Sequence, residues 1–140
     1  MAKTICKILG VVFILVGVMG FIVPDLLGTH LSMVHNLVHI ISGAAALYFG
    51  FAGSISGART FCLAFGAVYL LLGLVGFLGG GGAHSMPNMP NANDSNLLKL
   101  LPGNLELGIM DHIVHILLGI LFLIGGLLTK ADVARVTDRD

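Results

Sequence analysis

The stretch His35-Asn36-Leu37-Val38-His39-Ile40-Ile41-Ser42-Gly43 returns later in the chain as Asp111-His112-Ile113-Val114-His115-Ile116-Leu117-Leu118-Gly119. Each copy opens a long apolar run and sets histidines at its mouth, where a hydrophobic segment would not ordinarily keep them. The segments ahead of the two copies repeat as well. Residues 3–21 (KTICKILGVVFILVGVMGF) match residues 59–77 (RTFCLAFGAVYLLLGLVGF) at eight of nineteen positions, among them Thr4/Thr60, Cys6/Cys62, Gly10/Gly66, Gly17/Gly73, Gly20/Gly76 and Phe21/Phe77. The chain is therefore one unit of two apolar segments written twice.

Each apolar segment is of the length that crosses a bilayer, for which about 20 residues suffice. The spans are expected at 5–23, 31–51, 59–78 and 105–129. Only 10% of residues are charged and 56% are hydrophobic, against about 25% charged in globular domains. With a mean hydropathy of +1.00, lipid covers this surface and soluble packing does not. The expectation is an all-α integral membrane protein, a four-transmembrane-helix bundle built from two parallel two-helix repeats and forming a single membrane domain over 1–140. Lys3 and Lys7 ahead of the first span resemble the start of a signal peptide, but a cleaved leader has no reason to match an internal segment. The net charge of zero leaves no basic footprint for nucleic acid, and the partner implied is the lipid bilayer.

Between the spans, Pro24 to Thr29 reads as a short turn and Ala52 to Ala58 as a small-residue link. Residues 79–104 combine a four-glycine run, Met-Pro-Asn repeats and an Asn/Asp/Ser cluster, and read as an outer loop. Within it Leu97 to Leu101 suits a segment lying flat at the interface. A polar tail fills 130–140. Four spans put both termini on one side, together with Lys3, Lys7, Arg59, Lys130, Arg135 and Arg139, and leave only Lys99 opposite. The positive-inside rule makes that side cytoplasmic, in a multi-pass protein of a bacterial inner (cell) membrane. The histidine ends then face outward, and the two units share one orientation.

Every span carries two glycines seven residues apart: Gly10/Gly17, Gly43/Gly50, Gly66/Gly73 and Gly119/Gly126. Seven residues return nearly to the same helix face, and small residues there let helix backbones approach closely in lipid. At about 100° per residue, His35, Asn36, His39 and Gly43 share a face, as do Asp111, His112, His115 and Gly119. The histidines point at a neighbouring helix, and polar residues at such depth are functional candidates by default.

Three readings of this cluster stand open, in this order of preference. The histidines hydrogen-bond to backbone carbonyls, to Asn36, Ser42 or Asp111, or to each other, and hold the bundle together. Alternatively His39 and His115, with His35 and His112, ligate a metal or a haem- or chlorophyll-type ring. Last, Asp111, His112 and His115 relay protons or handle a small substrate. The loop run His84-Ser85-Met86-Pro87-Asn88-Met89 offers soft and imidazole ligands for copper, though a plain loop is the commoner meaning. Cys6 and Cys62 are repeat equivalents at the cytoplasmic ends, where thiols stay reduced, and read as packing residues. Gly79 to Gly82 follows no strand and is not a phosphate loop. No Ser-His-Asp set or carboxylate pair is legible. The expectation is a non-enzymatic structural or accessory membrane component, with a membrane-protein partner or a second copy of the chain as its possible company.

The pattern resembles a bacterial family of small four-helix membrane proteins, the domain-of-unknown-function family 4383, marked by Asn-x-x-His-x-x-x-Gly at the second helix and a related signature at the fourth. Asn36, His39 and Gly43 match the first signature. His115 and Gly119 match the second, with His112 where the asparagine would stand. Gly20-Phe21 and Gly76-Phe77, which close the first and third helices, are in keeping. The resemblance covers residues 5–129. It implies a fold and a membrane location, and no activity.

Overall fold

A computed structural model describes residues 1–82 and 96–130. Four helices carry the architecture: α1 (Ala2–Met19), α2 (Met33–Phe51), α3 (Ile55–Gly79) and α4 (Ile109–Leu127). A strand pair, β1 (Leu98–Leu101) and β2 (Leu105–Leu107), precedes α4. All four helices are long and apolar enough to cross a membrane, and helices are what lipid demands, because a spanning backbone must satisfy its own N–H and C=O groups. The protein is a multi-pass membrane protein with a helical-bundle fold.

The ends of the helices are set by polar and turn residues that hydropathy does not register. After α1 the chain runs on as single turns, with the amide of Ile22 donating to Met19 (2.9 Å). Residues 20–23, expected inside the first span, thus lie outside the helix, because Gly20 and then Pro24 interrupt it. α2 starts at Met33 rather than 31, capped by the Ser32 hydroxyl, which accepts from the His35 amide at 3.2 Å. α3 starts at Ile55 rather than 59, because the Ser54 hydroxyl caps the Gly57 amide at 3.0 Å, and serine is a strong helix starter.

The largest departure precedes the fourth span. Residues 105–107, expected as its first turn, pair as a strand with β1, Leu98 opposite Leu107 and Lys99 opposite Glu106. Leu97 to Leu101, expected flat on the membrane surface, belongs largely to this hairpin. Pro102-Gly103 makes the turn, with Gly103 at φ +78°, a conformation that suits glycine. Leu105 and Leu107 follow the two-residue period of a strand. Leu97 and Leu107 are both buried, so the hairpin sits on the bundle instead of projecting from it.

The helices associate as two hairpins, α1 with α2 and α3 with α4. Glycines lie at both seams. A Cβ on Gly43 would meet the Gly10 carbonyl oxygen at 2.8 Å, and one on Gly119 would meet the Leu70 amide nitrogen at 2.6 Å. Gly17 backs onto the Asn36 carbonyl, Gly73 onto the His112 carbonyl, Gly50 onto Lys7, and Gly66 and Gly126 onto Leu123 and Leu63. The two hairpins meet along α1 and α3, where Cys6 and Cys62 bring their Sγ atoms to 3.4 Å. At the same end the Ala2 amide donates to the Thr129 hydroxyl (2.7 Å), tying the start of α1 to the end of α4.

Candidate functional site at the histidine end

The repeat has fixed offsets: 56 residues between α1 and α3 (59 − 3) and 76 between α2 and α4 (111 − 35). These offsets organise the site. Phe13 maps onto Tyr69 and His39 onto His115, and each pair is in ring contact, Phe13 to His39 at 5.3 Å and Tyr69 to His115 at 5.1 Å between centroids. Phe13 and Tyr69 stack on one another at 5.4 Å. Each hairpin thus presents an aromatic ring from its first helix and an imidazole from its second, and the two sets face across the middle of the bundle.

His35 lies between the two imidazoles. Its ring stacks on His39 at 4.6 Å and sits 6.0 Å from His115. Its Nδ1 is 2.8 Å from the His30 carbonyl oxygen, which makes Nδ1 the protonated, donating nitrogen. His39 and His115 are more than nine-tenths buried. The Nδ1 of each has no hydrogen-bond partner among the described residues. Both lie six residues into their helices (39 − 33 and 115 − 109), about 9 Å deep at 1.5 Å per residue. This is shallower than the expected span limits would place them.

His112 does not join this group. Its Nε2–H donates to the Asn96 carbonyl oxygen at 2.7 Å, and its ring meets Phe77 edge-on at 5.5 Å. It occupies a slot that exists because Gly76 has no side chain: any Cβ there would collide with the imidazole. Asn36, the repeat mate of His112, fills the equivalent slot over Gly20, and its amide donates to the Leu31 carbonyl at 3.3 Å. The replacement of asparagine by histidine in the second copy therefore follows a shared packing design, with a larger side chain in the same place.

Asp111 is the most heavily engaged of the expected residues. One oxygen accepts from the Gly108 amide at 2.8 Å, closing the first turn of α4. The carboxylate also accepts from the His30 amide at 3.0 Å, and His30 Nδ1 lies 3.6 Å away. It is buried at 2% exposure. Charged hydrogen bonds of this kind are the strong ones, and this set joins the α1–α2 turn to the start of α4. The Ser32 hydroxyl adds a second link, donating to the Asn104 carbonyl at the hairpin turn.

Two contributors are not apparent from the repeated helical stretch alone. His30 and Glu106 precede α2 and α4 in extended chain, are buried, and are related by the same 76-residue offset (106 − 30). Extending the repeat alignment backward by five residues from His35 and Asp111 finds them. It shows an exchange: histidine then histidine at 30 and 35, acid then acid at 106 and 111. The His84 to Met89 stretch lies outside the described residues.

Two small spaces flank the imidazoles. One, about 70 Å³, is lined by His35, His39, Asp111 and His115 with apolar residues of α1 and α4. The other, about 50 Å³, lies between His35, His115, Tyr69 and the leucines of the strand hairpin. Both are small beside the about 300–1,000 Å³ of sites for drug-sized ligands. Among the described residues no three His, Cys, Asp or Glu side chains are placed to hold a metal ion. Toward the other end of the bundle Phe122, fully buried, packs with Phe13, Phe61 and Phe65 at 6.0–6.1 Å. This aromatic layer closes the floor of the polar region.

The sequence profile of a family described as a domain of unknown function (DUF4383) matches residues 3–110. The chain belongs to that family. The match takes in α1 to α3, the strand hairpin and the residues Asn36, His39 and Gly43, and ends one residue before Asp111. No curated protein and no solved structure matches the chain.

Proposed function

We propose that the protein is a non-enzymatic structural or accessory component of a bacterial inner (cell) membrane, with both termini cytoplasmic. Its polar cluster is a set of ties between two helical hairpins, and the exposed apolar helix faces meet lipid and, in an accessory role, a membrane-protein partner or a second copy of the chain. The observation that carries this reading is the Asp111 carboxylate, which accepts the Gly108 and His30 amides and lies 3.6 Å from the His30 ring. A carboxylate engaged in this way holds separate stretches of chain together. The orientation follows from Lys3, Lys7, Arg59 and Lys130 standing at the end shared by the two termini.

A carrier role finds less support, because Phe122 is fully buried and packs with Phe13, Phe61 and Phe65 in an apolar layer beyond the histidines. The test is purification in mild detergent from native membranes, with a visible spectrum, elemental analysis and identification of co-purifying proteins. The expected result is a featureless spectrum, no stoichiometric metal, and a recurrent partner or a homo-oligomer. A Soret-type band or about one metal per chain overturns the reading in favour of ligation by His39 and His115.

A further inference from the structure

The two small spaces beside the imidazoles are repeat equivalents of each other. Phe13 and Val16 of α1 border the larger, and their 56-residue equivalents Tyr69 and Leu72 of α3 border the smaller. Val114 of α4 lines the first, and its 76-residue equivalent Val38 of α2 lines the second. Leu31 and Leu107, again 76 residues apart, divide in the same way. Each space therefore lies at a seam between the two hairpins, α1 with α4 in one and α3 with α2 in the other. A cleft persists at both seams although the α1 and α3 side chains differ.

What the clefts offer is hydrocarbon. The polar groups beside the larger one are engaged by the protein: the Thr29 hydroxyl donates to the Leu26 carbonyl at 2.6 Å, and the Asp111 carboxylate accepts the Gly108 and His30 amides. In the smaller one Leu105 stands where the first repeat has Thr29. The Nδ1 atoms of His39 and His115 have no exposed surface. Apolar cavities exclude water and accept apolar guests. The clefts measure about 70 and 50 Å³, well below the about 150 Å³ that admits benzene, so their size suits a thin chain rather than a ring. Val12 at the first cleft and Val38 at the second are each 40% exposed. Both clefts are thus continuous with the apolar surface that lipid covers.

We propose that the two clefts are an equivalent pair of lipid sites, each seating a short stretch of one phospholipid acyl chain between the hairpins. The chain enters from the membrane at the exposed valine, and its remainder runs along the outer faces of the helices. The inference rests on the reading of the exposed helix faces as lipid-facing, and adds two defined positions where lipid penetrates the bundle.

The test is photolabelling of the full chain in phosphatidylcholine vesicles, using phosphatidylcholines that carry a diazirine at successive acyl positions. Fragment mass spectrometry compares neighbours at one depth: half-buried Val16 and Leu72 in the clefts, and outward-facing Leu15 and Leu71, 58% and 59% exposed. The expected result is labelling of Val16 and Leu72 at least as strong as that of Leu15 and Leu71. Val114→Phe and Val38→Phe, which fill the clefts, are expected to abolish the label at Val16 and at Leu72 respectively and to spare Leu15 and Leu71. Label confined to Leu15 and Leu71, label in one cleft without the other, or label that a filled cleft retains would overturn the proposal. So would labelling of Val16 and Leu72 by a water-soluble diazirine, which gives the clefts to water. Loss of their label as protein density rises gives the clefts to a second copy, with the same consequence. The wild-type comparison decides the matter even where a phenylalanine variant fails to fold. Absence of label at all four positions would overturn the lipid-facing reading along with the proposal, so the two failures are distinguishable.

Discussion

The carboxylate of Asp111 accepts the backbone amide of His30 at 3.0 Å across 81 residues of chain. This single contact links the turn that ends the α1 segment of the first repeat to the helix that opens the polar end of the second. Around it the glycine seams bring helices together within each hairpin, and the histidine cluster fills the space between hairpins.

The seams give the first prediction. A Cβ on Gly119 would stand 2.6 Å from the Leu70 amide nitrogen, whereas one on Gly79 would meet nothing within 4 Å. Backbone cannot yield as a flexible side chain does, so Gly119→Ala is expected to destabilise the bundle by about 1–3 kcal/mol. Gly79→Ala is expected to fall within about 0.5 kcal/mol of wild type. Thermal unfolding in detergent compares the two, and equal effects would contradict the close approach.

The slot over Gly76 gives a second. Gly76→Ala is expected to displace the His112 ring and break its 2.7 Å hydrogen bond to the Asn96 carbonyl. The first repeat packs the smaller Asn36 in the same position, so adding His112→Asn to Gly76→Ala should recover part of the loss. Denaturation midpoints of the single and double variants check this. A double variant no better than Gly76→Ala alone would rule out the shared slot.

Cys6 and Cys62 are free thiols with no exposed surface. Both are expected to resist a water-soluble maleimide in the folded protein and to react fully once the chain is unfolded in strong detergent. Mass spectrometry after a timed pulse reads the outcome. Prompt labelling of either thiol in the folded state would mean that the α1–α3 contact is open.

Much of this arrangement is legible in the sequence. The repeat, the four spans and the pairing of glycines on helix faces all follow from period and offset, because lipid leaves a spanning chain few alternatives. The helix ends are less legible. Hydropathy sees Ile22 and Leu105 as span residues, while Gly20, Pro24 and the Pro102-Gly103 turn decide that they are not. The strand hairpin is hidden for the same reason: Leu98, Leu100, Leu105 and Leu107 are as apolar as any helix residue, and only their alternation differs.

The site shows a similar division. His35, His39, Asp111 and His115 converge, whereas His112 and Asn36 turn aside to their glycine slots. Sequence placed all six on the correct elements, since they share helix faces at 3.6-residue spacing. It did not separate them, because a single face of a helix still points toward more than one neighbour. His30 stands outside any helix and escapes a reading based on helical faces.

His39→Gln tests whether the buried imidazole is essential to folding. Its Nδ1 makes no protein hydrogen bond among the described residues, so the change is expected to cost about 1 kcal/mol or less through lost contact with Phe13 and His35. Retention of a monodisperse, helical protein by gel filtration and circular dichroism checks it. Collapse of the bundle would show that the imidazole does more than pack.

The most direct test of the account is the thermal unfolding of Asp111→Ala beside His39→Gln and wild type in the same detergent. Removing the carboxylate leaves the Gly108 and His30 amides without their acceptor, at an expected cost of about 2–4 kcal/mol. The account predicts a clear drop in Tm for Asp111→Ala, several times that of His39→Gln. An Asp111→Ala protein as stable as wild type would contradict it, and would place the junction between the two repeats somewhere other than this carboxylate.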